Sequence, residues 1–190
     1  MNNDYPDGTT YLSNGAKVPK NNIIIKFIGE LDELSAEIGY INTLIYKYFV
    51  KYNNCVIHKY FNILYDIQID IHKQEKIIQE SNCNDTIILK NPIIQQYLKE
   101  LSNILPQQSK FVLSGGNILI ASIFKARAKC RAAERRLVSI NYYYYNSEKL
   151  TPNEIANIRI CMNYINILSD YFYVLARYTY FILDIEEIAL

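Results

Sequence analysis

The chain of 190 residues is 50% apolar, which suits one domain with one buried core. Twenty Lys plus Arg against nineteen Asp plus Glu leave a net charge of +1, so bulk charge offers nothing to nucleic acid or to an anionic membrane. Cys55, Cys83, Cys130 and Cys161 stand far apart with no C-x-x-C pair, which argues against a disulfide framework or a zinc site and for a reducing compartment.

Residues 1–22 are polar and turn-rich, through Pro6-Asp7-Gly8-Thr9-Thr10 and Ser13-Asn14-Gly15, and do not read as helix. They carry no signal-peptide core and no Arg-rich presequence. From there the apolar period is helical, and no strand is expected. Ile24, Phe27, Leu31, Leu34, Ile38, Ile41, Ile45 and Tyr48 form the first stripe, and Ile57, Tyr60, Leu64, Ile67 and Ile71 the second. The third, Ile94, Leu98, Leu101 and Leu105, starts with Asn91 as N-cap and Pro92 at the first helical position. Residues 106–117 are a second non-helical segment. The fourth stripe is Ile123, Ala126, Cys130, Ala133, Leu137 and Ile140. The fifth, Ile158, Cys161, Ile165, Leu168, Phe172 and Leu175, follows the capping-box signature Thr151-Pro152-Asn153-Glu154. One apolar face per helix predicts an all-α, five-helix antiparallel bundle over 23–182, in a single domain spanning 1–190. No apolar run reaches the roughly 18 residues of a membrane span.

A helical bundle invites a di-iron reading, but His58 and His72 follow Cys55 and Ile69 by three residues where that chemistry needs Glu. No protein-borne metal site is expected. On the fourth helix Arg127, Arg131 and Glu134 recur at steps of four and three beside the apolar stripe. Guanidinium groups so placed suit carboxylate or phosphate partners. On the fifth, Asn166, Asp170, Tyr173 and Arg177 form a similar stripe. The two stripes either face a common cleft or satisfy each other as ion pairs, and periodicity does not choose. Gly8, Thr9, Thr10, Gly15, Lys17 and Lys20 combine free backbone, hydroxyls and cations of the kind a polyphosphate needs.

Three blocks together resemble the propanediol-utilisation type of cob(I)alamin adenosyltransferase. The first is Asp7-Gly8-Thr9-Thr10-Tyr11-Leu12 with Gly15-Ala16-Lys17-Val18-Pro19-Lys20 and Gly29-Glu30-Leu31-Asp32-Glu33-Leu34-Ser35. The second is Phe111-Val112-Leu113-Ser114-Gly115-Gly116, followed by Ala126 to Arg136, and the third runs from Asn166 to Tyr178. Four departures stand out: Lys17 replaces the family's Arg, Ser114 the Pro of L-P-G-G, Ala132 an Arg, and Ile167 the Arg of N-R-L-S-D.

The resemblance implies a ferritin-like homotrimer that transfers the 5′-deoxyadenosyl group of ATP to Co(I) of cobalamin and releases triphosphate. ATP with Mg²⁺ would lie between subunits, gripped by Gly8, Thr9, Thr10 and Lys20 of the 1–22 segment and by Arg127, Arg131, Glu134 and Asn166. Asp32 would pair with Arg127 across the interface, and Phe111 would lie against the corrin and displace the lower cobalt ligand. Phe111, Arg127 and Asp32 are thus the expected catalytic set. A flavoprotein reductase and a downstream B12-dependent enzyme would be partners, in the cytoplasm or the mitochondrial matrix. Two rival readings remain: a non-catalytic ATP or corrinoid sensor or escort of the same fold, suggested by Ala132 and Ile167, and a structural interaction protein.

Overall fold

A computed structural model describes residues 7–49, 59–79, 91–107, 111–145 and 151–188. Cys55, Ile57, His58 and Cys83 lie outside the described residues. Among the described residues two short strands, β1 (Thr9–Tyr11) and β2 (Lys17–Pro19), precede five long helices: α1 (Ile23–Phe49), α2 (Ile63–Gln79), α3 (Asn91–Ile104), α4 (Ile118–Tyr145) and α5 (Pro152–Ile182). The five-helix expectation holds, but the second stripe does not start with its helix: Tyr60 precedes α2, separated from it by a turn at Asn62, and Ile57 lies outside the described residues.

Expecting no strand was wrong for the N-terminal segment. Thr9 pairs with Pro19, Thr10 with Val18 and Tyr11 with Lys17 in an antiparallel hairpin. Its physical signal is the turn chemistry. Gly15 takes φ +82°, a conformation open to glycine, and its N–H donates to the Leu12 carbonyl at 2.9 Å. Ser13 then fixes the turn to the end of α2, its N–H and hydroxyl donating to Gln79 Oε1 at 3.1 and 2.8 Å.

The helices assemble as their stripes require. On α4 all six expected positions (Ile123, Ala126, Cys130, Ala133, Leu137 and Ile140) are buried, as are all six on α5. Each fully buried large side chain contributes about 1.5–3 kcal/mol through removal of apolar surface from water. The small residues Ala126, Cys130 and Ala133 let α4 lie close to its neighbours α5 and α1. Helix α3 packs on α5, and α2 on α1. Thr151 starts α5 with the expected capping box: its hydroxyl oxygen accepts from the Glu154 N–H at 3.3 Å, and the Thr151 N–H donates to the Glu154 carboxylate at 2.7 Å.

Along the α1–α4 seam runs a ladder of ion pairs. Glu30 receives Arg136 at 2.8 Å, Glu33 receives Lys129 at 2.6 Å, and Glu37 receives Lys125 at 2.8 Å. The open groove above the last two rungs, of about 510 Å³, is lined by Glu33, Ala36, Glu37, Tyr40, Lys125 and Lys129 and contains none of the expected site residues. Among the described residues no helix is long and apolar enough to cross a membrane.

Candidate functional site

The helical period sends the cations of α4 to two flanks. Lys125, Lys129 and Arg136 face α1, where each meets a glutamate. Arg127 faces α5. Its guanidinium stands 5.1 Å over the Tyr173 ring, and its Nε is buried with no hydrogen-bond partner. One turn along, Arg131 is exposed. A further turn on, Glu134 accepts from Asn166 Nδ2 at 3.0 Å. The structure thus brings Arg127, Glu134 and Asn166 onto one flank, with Arg131 beside them. Of the two arrangements open to the α4 and α5 stripes, the Glu134–Asn166 and Arg127–Tyr173 contacts belong to a shared face whose two arginines have no carboxylate partner among the described residues.

Arg177 does not belong to that face. It is buried, and its Nε donates to Glu187 Oε1 at 2.8 Å while Nη2 donates to the Pro106 carbonyl at 3.1 Å. Asp170 is exposed.

The hairpin holds Gly8, Thr9, Thr10 and Lys20 together. Gly8 has φ +68°, and its carbonyl accepts from the Lys20 N–H at 2.9 Å, which sets the two ends of the hairpin side by side. Sequence reading missed the part played by Asp7. Its carboxylate accepts from Lys17 Nζ at 2.8 Å, from the Thr9 hydroxyl at 2.5 Å and from the Thr9 N–H at 3.2 Å. The Lys17 ammonium, and then the two Thr9 donors, hold the Asp7 carboxyl well below the usual carboxylate range. Asp7 therefore occupies the donors that an incoming anion would use. The signal was present in the spacing Asp7-x-Thr9, an Asx-type turn.

Asp32 is felt by α2 and not paired with Arg127. It is exposed on α1, and its charge reaches Glu75 of α2. Burial pushes the Glu75 carboxyl up, His72 partly offsets this, and Asp32 adds to it. No ion pair joins Asp32 to Arg127 within the chain, so any such pair requires a second copy.

Phe111 stands in the link before α4 and is 80% exposed. The link ends in a tight turn in which Gly116 has φ +87° and a Cβ at this position would lie 2.9 Å from the Tyr180 ring. Asn117 then caps α4, its Oδ1 accepting from the Ile120 N–H at 2.9 Å. Exposed apolar side chains in the link, at the start of α4 and after α5 include Leu113, Ile118, Phe181 and Ile188, interspersed with the exposed polar Ser114, Asp184 and Glu186. Among the described residues no cluster of three or more His, Cys, Asp or Glu side chains could hold a metal ion.

Against known proteins, the family model for cobalamin adenosyltransferase matches residues 4–179. The cobalamin adenosyltransferase of Cupriavidus metallidurans is 32% identical over 173 residues, 90% of this chain and 82% of that protein. The bovine corrinoid adenosyltransferase MMAB is 28% identical over 170 residues, 87% of this chain but 64% of the longer bovine protein. Among solved structures, a point variant of the PduO-type ATP:corrinoid adenosyltransferase from Lactobacillus reuteri, complexed with cobalamin and ATP, superposes with a TM-score of 0.77. The alignment covers 100% of this chain and 98% of that one at 22% identity, which establishes a shared fold.

Proposed function

Because this chain belongs to the cobalamin adenosyltransferase family, we propose the following reading of its site: it is a corrinoid adenosyltransferase whose α4–α5 flank and N-terminal hairpin grip ATP while Phe111 meets the corrin. The observation that carries the reading is the asymmetry of α4. Its three cations toward α1 are each neutralised by a glutamate, whereas Arg127 and Arg131 toward α5 have no carboxylate partner among the described residues and suit an external polyanion.

Two parts of the ATP site lie on different faces of the protomer, since the hairpin is pinned to the end of α2 by Ser13–Gln79 and Arg127 looks toward α5. A second copy supplying its hairpin, with Asp32 reaching Arg127, completes the site, and a closed trimer is the assembly we propose. Mg²⁺ would enter with the nucleotide as its counter-ion and help to stabilise the charge of the departing triphosphate.

In the reaction the Co(I) lone pair attacks the ribose 5′ carbon, the C5′–O bond breaks, and triphosphate departs with the electron pair. The nucleophile comes from the substrate, so the protein needs no activated Ser, Cys or His. Its own contribution is position and charge. Lys20, Arg127 and Arg131 stabilise the departing triphosphate. Glu134 and Asn166, already hydrogen-bonded to each other, hold the nucleoside end. Phe111 presses on the corrin and removes the lower axial ligand, which makes Co(II) easier to reduce. Cys130 and Cys161 are free and buried, which supports a reducing compartment such as the cytoplasm or the mitochondrial matrix. A flavoprotein reductase upstream and a B12-dependent enzyme downstream complete the proposed setting.

The departures that suggested a non-catalytic relative fall away from the site. By the helical period Ala132 sits on the α1 flank with Lys129 and Arg136, not with Arg127. Ile167 is half-buried against the core. The test is an anaerobic absorbance assay of cob(I)alamin with ATP. Formation of adenosylcobalamin with one triphosphate released per turnover is expected; tight ATP binding without product would establish the sensor or escort instead.

A further inference from the structure

We infer that the chain end is a brace for Phe111, with Arg177 and Glu187 as positioning residues for the reaction; this rests on the role proposed for Phe111. A side chain that is 80% exposed cannot be held by its own packing, so its position depends on what grips the backbone around it.

Three contacts grip that link, and all come from the end of α5 and the residues after it. At its start, the buried Arg177 guanidinium holds the Pro106 carbonyl with one arm and the Glu187 carboxylate with the other. In its middle, two residues after Phe111, the Leu113 N–H donates to the Ile188 carbonyl at 2.8 Å. At its end, Gly116 lies under the Tyr180 ring. The chain reverses to make these contacts. The Leu183 N–H donates to Thr179, Asp184 takes φ +52°, and the Ile185 N–H donates to the Tyr180 carbonyl at 3.0 Å.

Glu187 is the joint of this brace, because one carboxylate ties residues 185–188 to the fork that also holds Pro106. A planar fork binding two partners at once fixes direction as well as distance. Release of Glu187 frees the chain end, and with it the Ile188 strut beneath Leu113. Phe111 then samples positions away from the corrin, and the loss falls on the step that needs it.

The test compares Glu187→Ala, Glu187→Gln, Phe111→Ala and the Phe111→Ala/Glu187→Ala double variant in the trimer. Turnover is started separately from cob(II)alamin with a reductant and from preformed cob(I)alamin. Glu187→Ala should slow the cob(II)alamin-started rate about tenfold while leaving KM for ATP within about twofold, since positioning is lost and nucleotide contacts are not. Glu187→Gln keeps an acceptor oxygen and should restore the rate to within about threefold of wild type. The electron paramagnetic resonance spectrum of bound cob(II)alamin should regain the nitrogen coupling of a lower axial ligand in Glu187→Ala. The double variant should be no slower than Phe111→Ala alone. If Phe111→Ala slows the cob(II)alamin reaction but Glu187→Ala leaves rate and spectrum unchanged, or if the two losses multiply, the brace is refuted. If Phe111→Ala itself does not slow that reaction, the role of Phe111 is refuted instead.

Discussion

Replacing Gly116 by Ala separates backbone strain from crowding at the turn that aims α4. Two penalties add. A residue with a Cβ at φ +87° costs about 1–2 kcal/mol in the left-handed region. The new methyl would also lie 2.9 Å from Tyr180 Cε1 and 3.0 Å from its Cζ and Oη, well inside the roughly 3.5–4.0 Å of ordinary contact. Tyr180 is 1% exposed, with its ring 6.5 Å from that of Phe124, so it has little room to retreat. Such overpacking costs about 1–3 kcal/mol. The control is Gly15→Ala, which carries a similar φ of +82° and meets nothing within 4 Å. Its loss should therefore be the strain alone. Urea unfolding should show Gly116→Ala less stable than wild type by about 2–5 kcal/mol and Gly15→Ala by about 1–2 kcal/mol, with Tm following at about 2–4 °C per kcal/mol. Equal losses for the two variants would refute the crowding argument.

Arg127→Ala should raise the Kd for ATP at least about tenfold, through loss of a charge-assisted contact, and should weaken the proposed trimer. Isothermal calorimetry and sedimentation velocity check the two effects, and normal behaviour in both removes Arg127 from the site. Burial pushes the Cys161 thiol up to about 12 and the Cys130 thiol and the Tyr164 and Tyr171 phenols well above their usual values. These groups stay protonated in the fold at a pH where the unfolded chain ionises them, so their contribution is intact below about pH 9 and declines as pH rises toward 12. Absorbance at 295 nm should therefore show a fraction of the tyrosines ionising only when the helical circular dichroism is lost; a full, reversible tyrosine titration with native helicity would contradict this.

The helices were legible because burial repeats with the helical period, and Phe27, Leu31, Leu34, Ile38, Ile41 and Ile45 all lie inside as the pattern required. The hairpin was not, since three-residue strands in a polar segment leave no apolar alternation to read, and its order comes from Asp7, Gly15 and the Ser13–Gln79 contact. At the site, the spacing of Arg127, Arg131 and Glu134 identified one flank of α4, and the Asn166 partner was consistent with the spacing on α5. What spacing could not say is which neighbour each flank meets. Arg177 shows the limit: its place in the α5 stripe left a common cleft and an ion pair equally open, and a carboxylate ten residues later and a carbonyl seventy-one residues earlier claim it. Asp32 shows another, because the contact proposed for it needs a second copy, which one chain does not contain.

The ion-pair ladder between α1 and α4 also works as a vernier. Its glutamates are spaced three and four residues apart, whereas the cations opposite them are spaced seven and four. Sliding α4 by one helical turn, about 5–6 Å, in one direction sets Glu30 against Ala132 and Glu37 against Ala121. Sliding it the other way sets Glu30 against Ile140 and Glu33 against Ala133. Each slip keeps a single match, so the unequal graduations select one alignment of the two helices and, with it, the height at which α4 presents its arginines.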